Sequence, residues 1–152
     1  DVHYAGFVDY LMRSNFKKSA FNGNDKDVRD FVKKLLGRIV FLYFLQKKGW
    51  LGAKDTSYKN GDKNFMTNFF TKAGANDAFY ANWLSKLFFD ALNNERPNDD
   101  FIMPDGEVVK IPYLNGGLFE KETEKYDYLT FPADLFTNLF EFFDQYNFTI
   151  FV

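Results

Sequence analysis

A chain of 152 residues with a formal net charge of −2 fits a single domain, and its 21 Phe, nine Tyr and two Trp supply a large aromatic core. The absence of Cys excludes disulfides, thiolate metal sites and cysteine nucleophiles, and the longest wholly apolar run, Ile39 to Leu45, is far short of the ~20 residues that cross a bilayer. The near-neutral total hides an asymmetry: residues 1–48 carry ten Lys/Arg against five acids, residues 49–94 five against four, and residues 95–152 four against twelve.

In chain order, Tyr4 to Met12 reads as a short amphipathic helix. Asn24 or Asp25 can then cap a long helix whose apolar positions Val28, Phe31, Val32, Leu35, Leu36 and Ile39 recur at helical spacing. From Ile39 to Leu45 this helix is apolar all round, which predicts a central, enclosed position. Lys47 and Lys48 favour its carboxyl end and Gly49 suits a left-handed cap. The polar stretch from Ala53 to Lys63 reads as a loop and Phe65 to Thr71 as a short helix. A further helix begins at Asn76 or Asp77, with Phe79, Trp83, Leu87 and Ala91 on one row and Tyr80, Leu84, Phe88 and Leu92 on the next. After a loop from Asn93 to Asp100, Phe101–Met103 and Val108–Ile111 flank Pro104-Asp105-Gly106, the composition of a small β-hairpin. The run from Glu120 to Asp127 reads as a solvated loop, and Pro132 to Asp144 as a last helix with proline in its first turn. The expected fold is mainly α: one domain over residues 1–152, a multi-helix bundle around a central buried helix, with one small hairpin.

Chemistry-bearing patterns are few. The only histidine is His3, so neither a Ser-His-Asp triad nor a multi-histidine metal site can be assembled. None of the four prolines adjoins another, so the Asn-Pro-Pro-aromatic loop that holds a flipped base is absent, as are phosphate- and dinucleotide-binding glycine fingerprints. Pro104-Asp105-Gly106-Glu107-Val108-Val109-Lys110 imitates a metal-dependent nuclease motif, but the Glu-to-Lys spacing is one residue too long and a hairpin turn is the better reading. Glu120, Glu122, Glu124 and Asp127 are interleaved with lysines and lack the apolar surroundings that tune a carboxylate for acid–base work. No catalytic, cofactor-binding or metal-ligating residue is therefore expected. A basic face is: Lys26, Arg29, Lys33, Lys34 and Arg38 lie opposite the apolar stripe of the long helix around Gly37, either as an ordinary solvated helix face with a tolerated glycine or as a surface that meets DNA phosphates.

Three strings carry a family resemblance: Leu35-Leu36-Gly37-Arg38-Ile39-Val40-Phe41-Leu42-Tyr43-Phe44-Leu45-Gln46-Lys47-Lys48-Gly49-Trp50-Leu51, then Ile111-Pro112-Tyr113-Leu114-Asn115-Gly116-Gly117-Leu118-Phe119-Glu120, and Tyr146-Asn147-Phe148-Thr149-Ile150. Leu87-Phe88-Phe89-Asp90-Ala91-Leu92-Asn93 falls between them in order. Over residues 28 to 150 the chain resembles the helical connector ahead of the methyltransferase domain in bacterial type IIG restriction-modification enzymes and BREX phage-exclusion methylases. It departs at Gly37, where the pattern has Asn.

The resemblance implies a cytoplasmic parent enzyme that uses S-adenosylmethionine to methylate an adenine amino group in a DNA site, in some relatives with an attached endonuclease. Its methyltransferase domain would follow residue 152. This fragment would then hold no cofactor, touch DNA weakly and without sequence preference, contact the methyltransferase domain of its own chain, and meet no membrane. Tyr113, Leu114, Asn115, Gly116, Gly117, Leu118 and Phe119 are expected to form a tight turn that anchors both arms in the core and shows its glycines to the neighbouring domain. The alternative is a freestanding helical protein-interaction module.

Overall fold

The computed structural model describes residues 1–146 and Phe148, so Asn147, Thr149 and Ile150 of the third string lie outside the described residues. Among the described residues there are five α-helices: α1 (Val2–Arg13), α2 (Phe16–Ser19), α3 (Asp25–Lys47), α4 (Phe65–Ala73) and α5 (Ala133–Asp144). Helix α3 is the axis of the fold. Asn24 caps it by accepting from the Asp27 amide at 3.2 Å, and its far end closes in a Schellman motif. There Gly49, at φ 81°, lets the Trp50 and Gly49 amides reach the carbonyls of Leu45 and Gln46. Helix α1 packs against α3 and α5, and α4 against α3.

The two apolar rows between Phe79 and Leu92 form a continuous helical rod with all eight positions buried, as their spacing predicts. Its hydrogen bonding differs from the expected α pattern: Tyr80–Leu84 and Leu87–Leu92 are π-helical. Hairpin strands β1 (Asp100–Ile102) and β2 (Val108–Lys110) pair antiparallel with Phe101 opposite Val109, and Gly106 turns at φ 91°. The bonds Gly106 N–H to Met103 O and Met103 N–H to Glu107 O close the turn. The fold is thus mainly α with one small β-hairpin. Short 3-10 turns at Pro97–Asp99 and Glu124–Tyr126 occupy stretches whose polar composition reads as loop.

Aromatic rings fill the centre. Phe136 of α5 lies edge-on to Phe7, Phe79 and Phe131 at centroid distances of 5.2, 5.1 and 5.7 Å, geometry that adds about 0.5–1.5 kcal/mol per pair to simple burial. Polar ties secure the periphery. The buried Gln46 accepts the Met66 amide at 2.7 Å, so a side chain of α3 caps α4, whose own N-cap Asn64 makes no side-chain cap. Tyr43 Oη and Thr67 Oγ1 both donate to Asp144, at 3.0 and 2.7 Å, joining α3 and α4 to the end of α5.

Two measurements check this core. Phe136→Ala is expected to cost about 3–5 kcal/mol in urea unfolding, while the exposed Tyr128→Ala stays within about 0.5 kcal/mol; similar values for both would contradict the packing. Burial raises the phenol pKa values of Tyr43, Tyr58 and Tyr80 well above normal, with further upward pushes on Tyr43 from Asp144 and on Tyr58 from Asp99. The unfolded chain releases these protons at about pH 10, so the folded form binds more protons above that pH. Stability is then intact below pH ~10 and falls as pH rises from there towards the folded values. In an alkaline titration the buried Tyr43 and Tyr80 should ionise together with loss of helical circular dichroism, after the exposed tyrosines; one common phenolate step with the helices intact would contradict their burial.

Candidate functional site

The expected basic face and the glycine-bearing loop meet on one side of α3. Lys26, Arg29, Lys33 and Lys34 are exposed, as their spacing predicts. Lys26 is engaged by Asp30 at 2.6 Å and Lys34 by Glu122 at 3.1 Å. Among the described residues, Arg29 and Lys33 make no ion pair within 4 Å, and both lie near Asp30, whose pKa is lowered first by the Lys26 hydrogen bond. The usable cationic surface is therefore smaller than five residues.

Arg38 corrects the helical-wheel expectation. It is 2% exposed and faces inward, not outward with the lysines. Its Nε donates to Leu118 O at 2.8 Å and its Nη2 to Glu120 O at 2.7 Å, with Glu122 Oε1 at 3.3 Å. The Phe88 and Phe89 rings lie 5.6 and 5.3 Å from its guanidinium carbon, within cation–π range. Desolvation lowers the guanidinium pKa and Glu122 opposes that shift; an arginine so placed keeps its charge. The sequence held the signal. Phe31, Leu35, Arg38, Leu42 and Leu45 follow the four-three alternation of a buried stripe. The role of Glu122 had no such signal, because its partners lie about eighty positions away.

The loop differs in part from its expected form. Phe119 is buried against Phe88 and close to Phe41, and the half-buried Leu114 donates its amide to Leu92 O at 2.9 Å. Tyr113 and Leu118, expected as core anchors, are 37% and 42% exposed. At Leu118 the backbone is held instead, its carbonyl accepting from Arg38 Nε, while Leu114 joins Phe119 in packing against the core. Gly117 turns at φ 85° and accepts the Glu120 amide at 3.2 Å, while Asn115 and Gly116 lie exposed beside it.

Several of the remaining candidates are held in structural ties. Asp105 and Glu107 of the nuclease-like string both converge on Lys72 of α4, whereas Lys110 turns to Asp100 at 2.6 Å. Of the acidic run, Glu122 serves the Arg38 clamp and Asp127 pairs with Lys121. His3 packs its ring 4.7 Å from that of Phe142. Among the described residues no three His, Cys, Asp or Glu side chains converge as a metal site would require. Sequence reasoning missed Arg96, whose guanidinium donates to the carbonyls of Asn94, Ala91, Asp100 and Ile111 and so ties the π-helical rod to the hairpin.

Three comparisons bear on these surfaces. No family model matches the chain, and no solved structure matches it. Over 132 residues, 85% of this chain, it is 25% identical to a protein of Methanocaldococcus jannaschii described, provisionally, as a type II restriction enzyme and methyltransferase. The match spans 11% of that protein, so the two share a related region rather than a common whole.

The two loop glycines are expected to behave differently. Gly117 occupies a backbone region that strains other residues, and Gly117→Ala should cost about 1 kcal/mol or more in urea unfolding. Gly116 has a φ outside that region and nothing within 4 Å of an added Cβ, so Gly116→Ala should change stability by no more than a few tenths of a kcal/mol. Equal costs would contradict the turn described.

Proposed function

We propose that this chain is a non-catalytic connector domain of a restriction-modification protein, one that holds an adenine-specific DNA methyltransferase domain in a fixed relation to its other parts. The observation that carries this reading is the match along 85% of the chain to a region making up 11% of a protein named for both restriction and methylation. Such a domain must be stiff and must present fixed surfaces, and α3 with its clamped loop supplies both.

This reading gives the chain no S-adenosylmethionine site of its own. Nucleotide-type cofactors in α/β folds sit at the carboxyl ends of parallel strands, whereas the sheet here is a hairpin of two antiparallel three-residue strands. The Asn115-Gly116-Gly117 stretch follows neither strand directly, and its neighbouring carbonyls at Leu118 and Glu120 are directed at Arg38. In this reading the cofactor belongs to the methyltransferase domain of the same polypeptide. No helix among the described residues is long and apolar enough to cross a membrane; a cytoplasmic location is part of the proposal.

Contact with DNA would fall to Arg29 and Lys33, with Lys26 and Lys34 already shared with carboxylates. Such contacts are sequence-independent and release counterions. The chain is expected to shift duplexes of unrelated sequence equally, at low salt only, and Arg29→Glu with Lys33→Glu should weaken all of them alike. The gene supplies the sharper test. An Asn-Pro-Pro-Tyr or Asn-Pro-Pro-Phe encoded in frame beyond Val152 is the expected result, and the 152-residue chain should give no heat with micromolar S-adenosylmethionine in calorimetry. A stop codon directly after this chain, or stoichiometric cofactor binding by it, would overturn the reading.

A further inference from the structure

Gly37 is a residue for which the domain itself supplies no reason. It lies in the interior of α3 on the exposed face, and a Cβ built there would meet nothing within 4 Å. It is not among the positive-φ glycines either. Neither crowding nor a left-handed backbone excludes a side chain, yet glycine weakens a helix interior relative to alanine.

What surrounds it is a groove of about 690 Å³. One wall is apolar: Phe41, one turn along α3, is 36% exposed, and Leu118, across from it, is 42% exposed. Leu118 is a fixed wall, because Arg38 holds its carbonyl at 2.8 Å. The other end is cationic, formed by Lys33 and Lys34, of which Lys34 is already bound to Glu122.

We infer that this groove receives an amphipathic helix from another part of the same polypeptide, with a small or aliphatic side chain over Gly37, between Phe41 and Leu118, and a carboxylate one turn away at Lys33. The inference rests on the connector reading above. Three observations select this occupant. A missing side chain at a crossing point allows two helices closer approach than the usual 8–10 Å range would need with larger residues. Exposed Phe and Leu walls are satisfied by apolar side chains, which a phosphate backbone does not offer. Lys33, without an ion pair among the described residues, supplies charge complementarity for one carboxylate, so that in the full-length protein it serves the docked helix and DNA contact falls to Arg29. The relative has the chain to provide such a helix, since the matched region is 11% of its length.

Photocrosslinking tests this. Phe41→p-benzoylphenylalanine is introduced into the full-length gene product, which is irradiated with and without a DNA duplex, digested and mapped. The expected crosslink lies within the same polypeptide, is independent of protein concentration and of DNA, and falls on a helical segment carrying an aliphatic residue and an Asp or Glu one turn apart. Gly37→Leu should suppress it at least tenfold, while the 152-residue chain carrying Gly37→Leu unfolds at the same or a higher urea concentration than the parent. A crosslink to DNA, a concentration-dependent crosslink to a second copy, or none at all would overturn the inference and leave the connector reading standing. So would a crosslink that Gly37→Leu leaves unchanged, or a Gly37→Leu chain that unfolds more easily. A gene product that ends with this chain would overturn both.

Discussion

A guanidinium enclosed by aromatic rings must have its charge and its donors answered, because an unpaired buried cation is among the costliest features a fold can carry. In this domain the answer is a loop distant in sequence. Arg38 takes the carbonyls of Leu118 and Glu120 and the carboxylate of Glu122, and lies beside Phe88 and Phe89 of the π-helical rod. One side chain thereby fixes the position of three segments: the central helix, the rod and the Asn-Gly-Gly loop. Phe119 enters the core and Leu114 packs against it, while Tyr113 and Leu118 stay exposed.

The same device recurs at Arg96, which gathers four carbonyls where the rod, the hairpin and the strand exit meet. Segments without regular hydrogen-bonding partners are held by arginines, and among the described residues eight of the 21 acidic residues pair with lysines. Among these, Asp105 and Glu107 fasten the hairpin to α4, and Glu122 fastens the loop to α3.

Much of the architecture was legible because it rests on local periodicity. The capped start of α3 at Asn24, its Gly49 end, the paired rows from Phe79 to Leu92 and the Pro104-Asp105-Gly106 turn each depend on residues within a few positions of one another. The candidate surface was legible only in part. Exposure of Lys26, Arg29, Lys33 and Lys34 follows from helix geometry, but Arg38 was placed on the wrong side because charge outweighed its place in the buried stripe. Long-range partners such as Glu122 for Lys34, Gln46 for the α4 amide and Asp144 for Tyr43 leave no local trace, and neither does the change from α to π hydrogen bonding in the rod.

The claim that Arg38 holds the loop to the central helix is tested most directly by hydrogen exchange read by mass spectrometry on the chain and on its Arg38→Met variant. The account predicts that peptides spanning residues 117 to 122 lose their protection in the variant, and the facing part of the rod loses some, while α1 and α5 exchange as before. Unchanged protection across residues 117 to 122 in a variant that remains folded would contradict it.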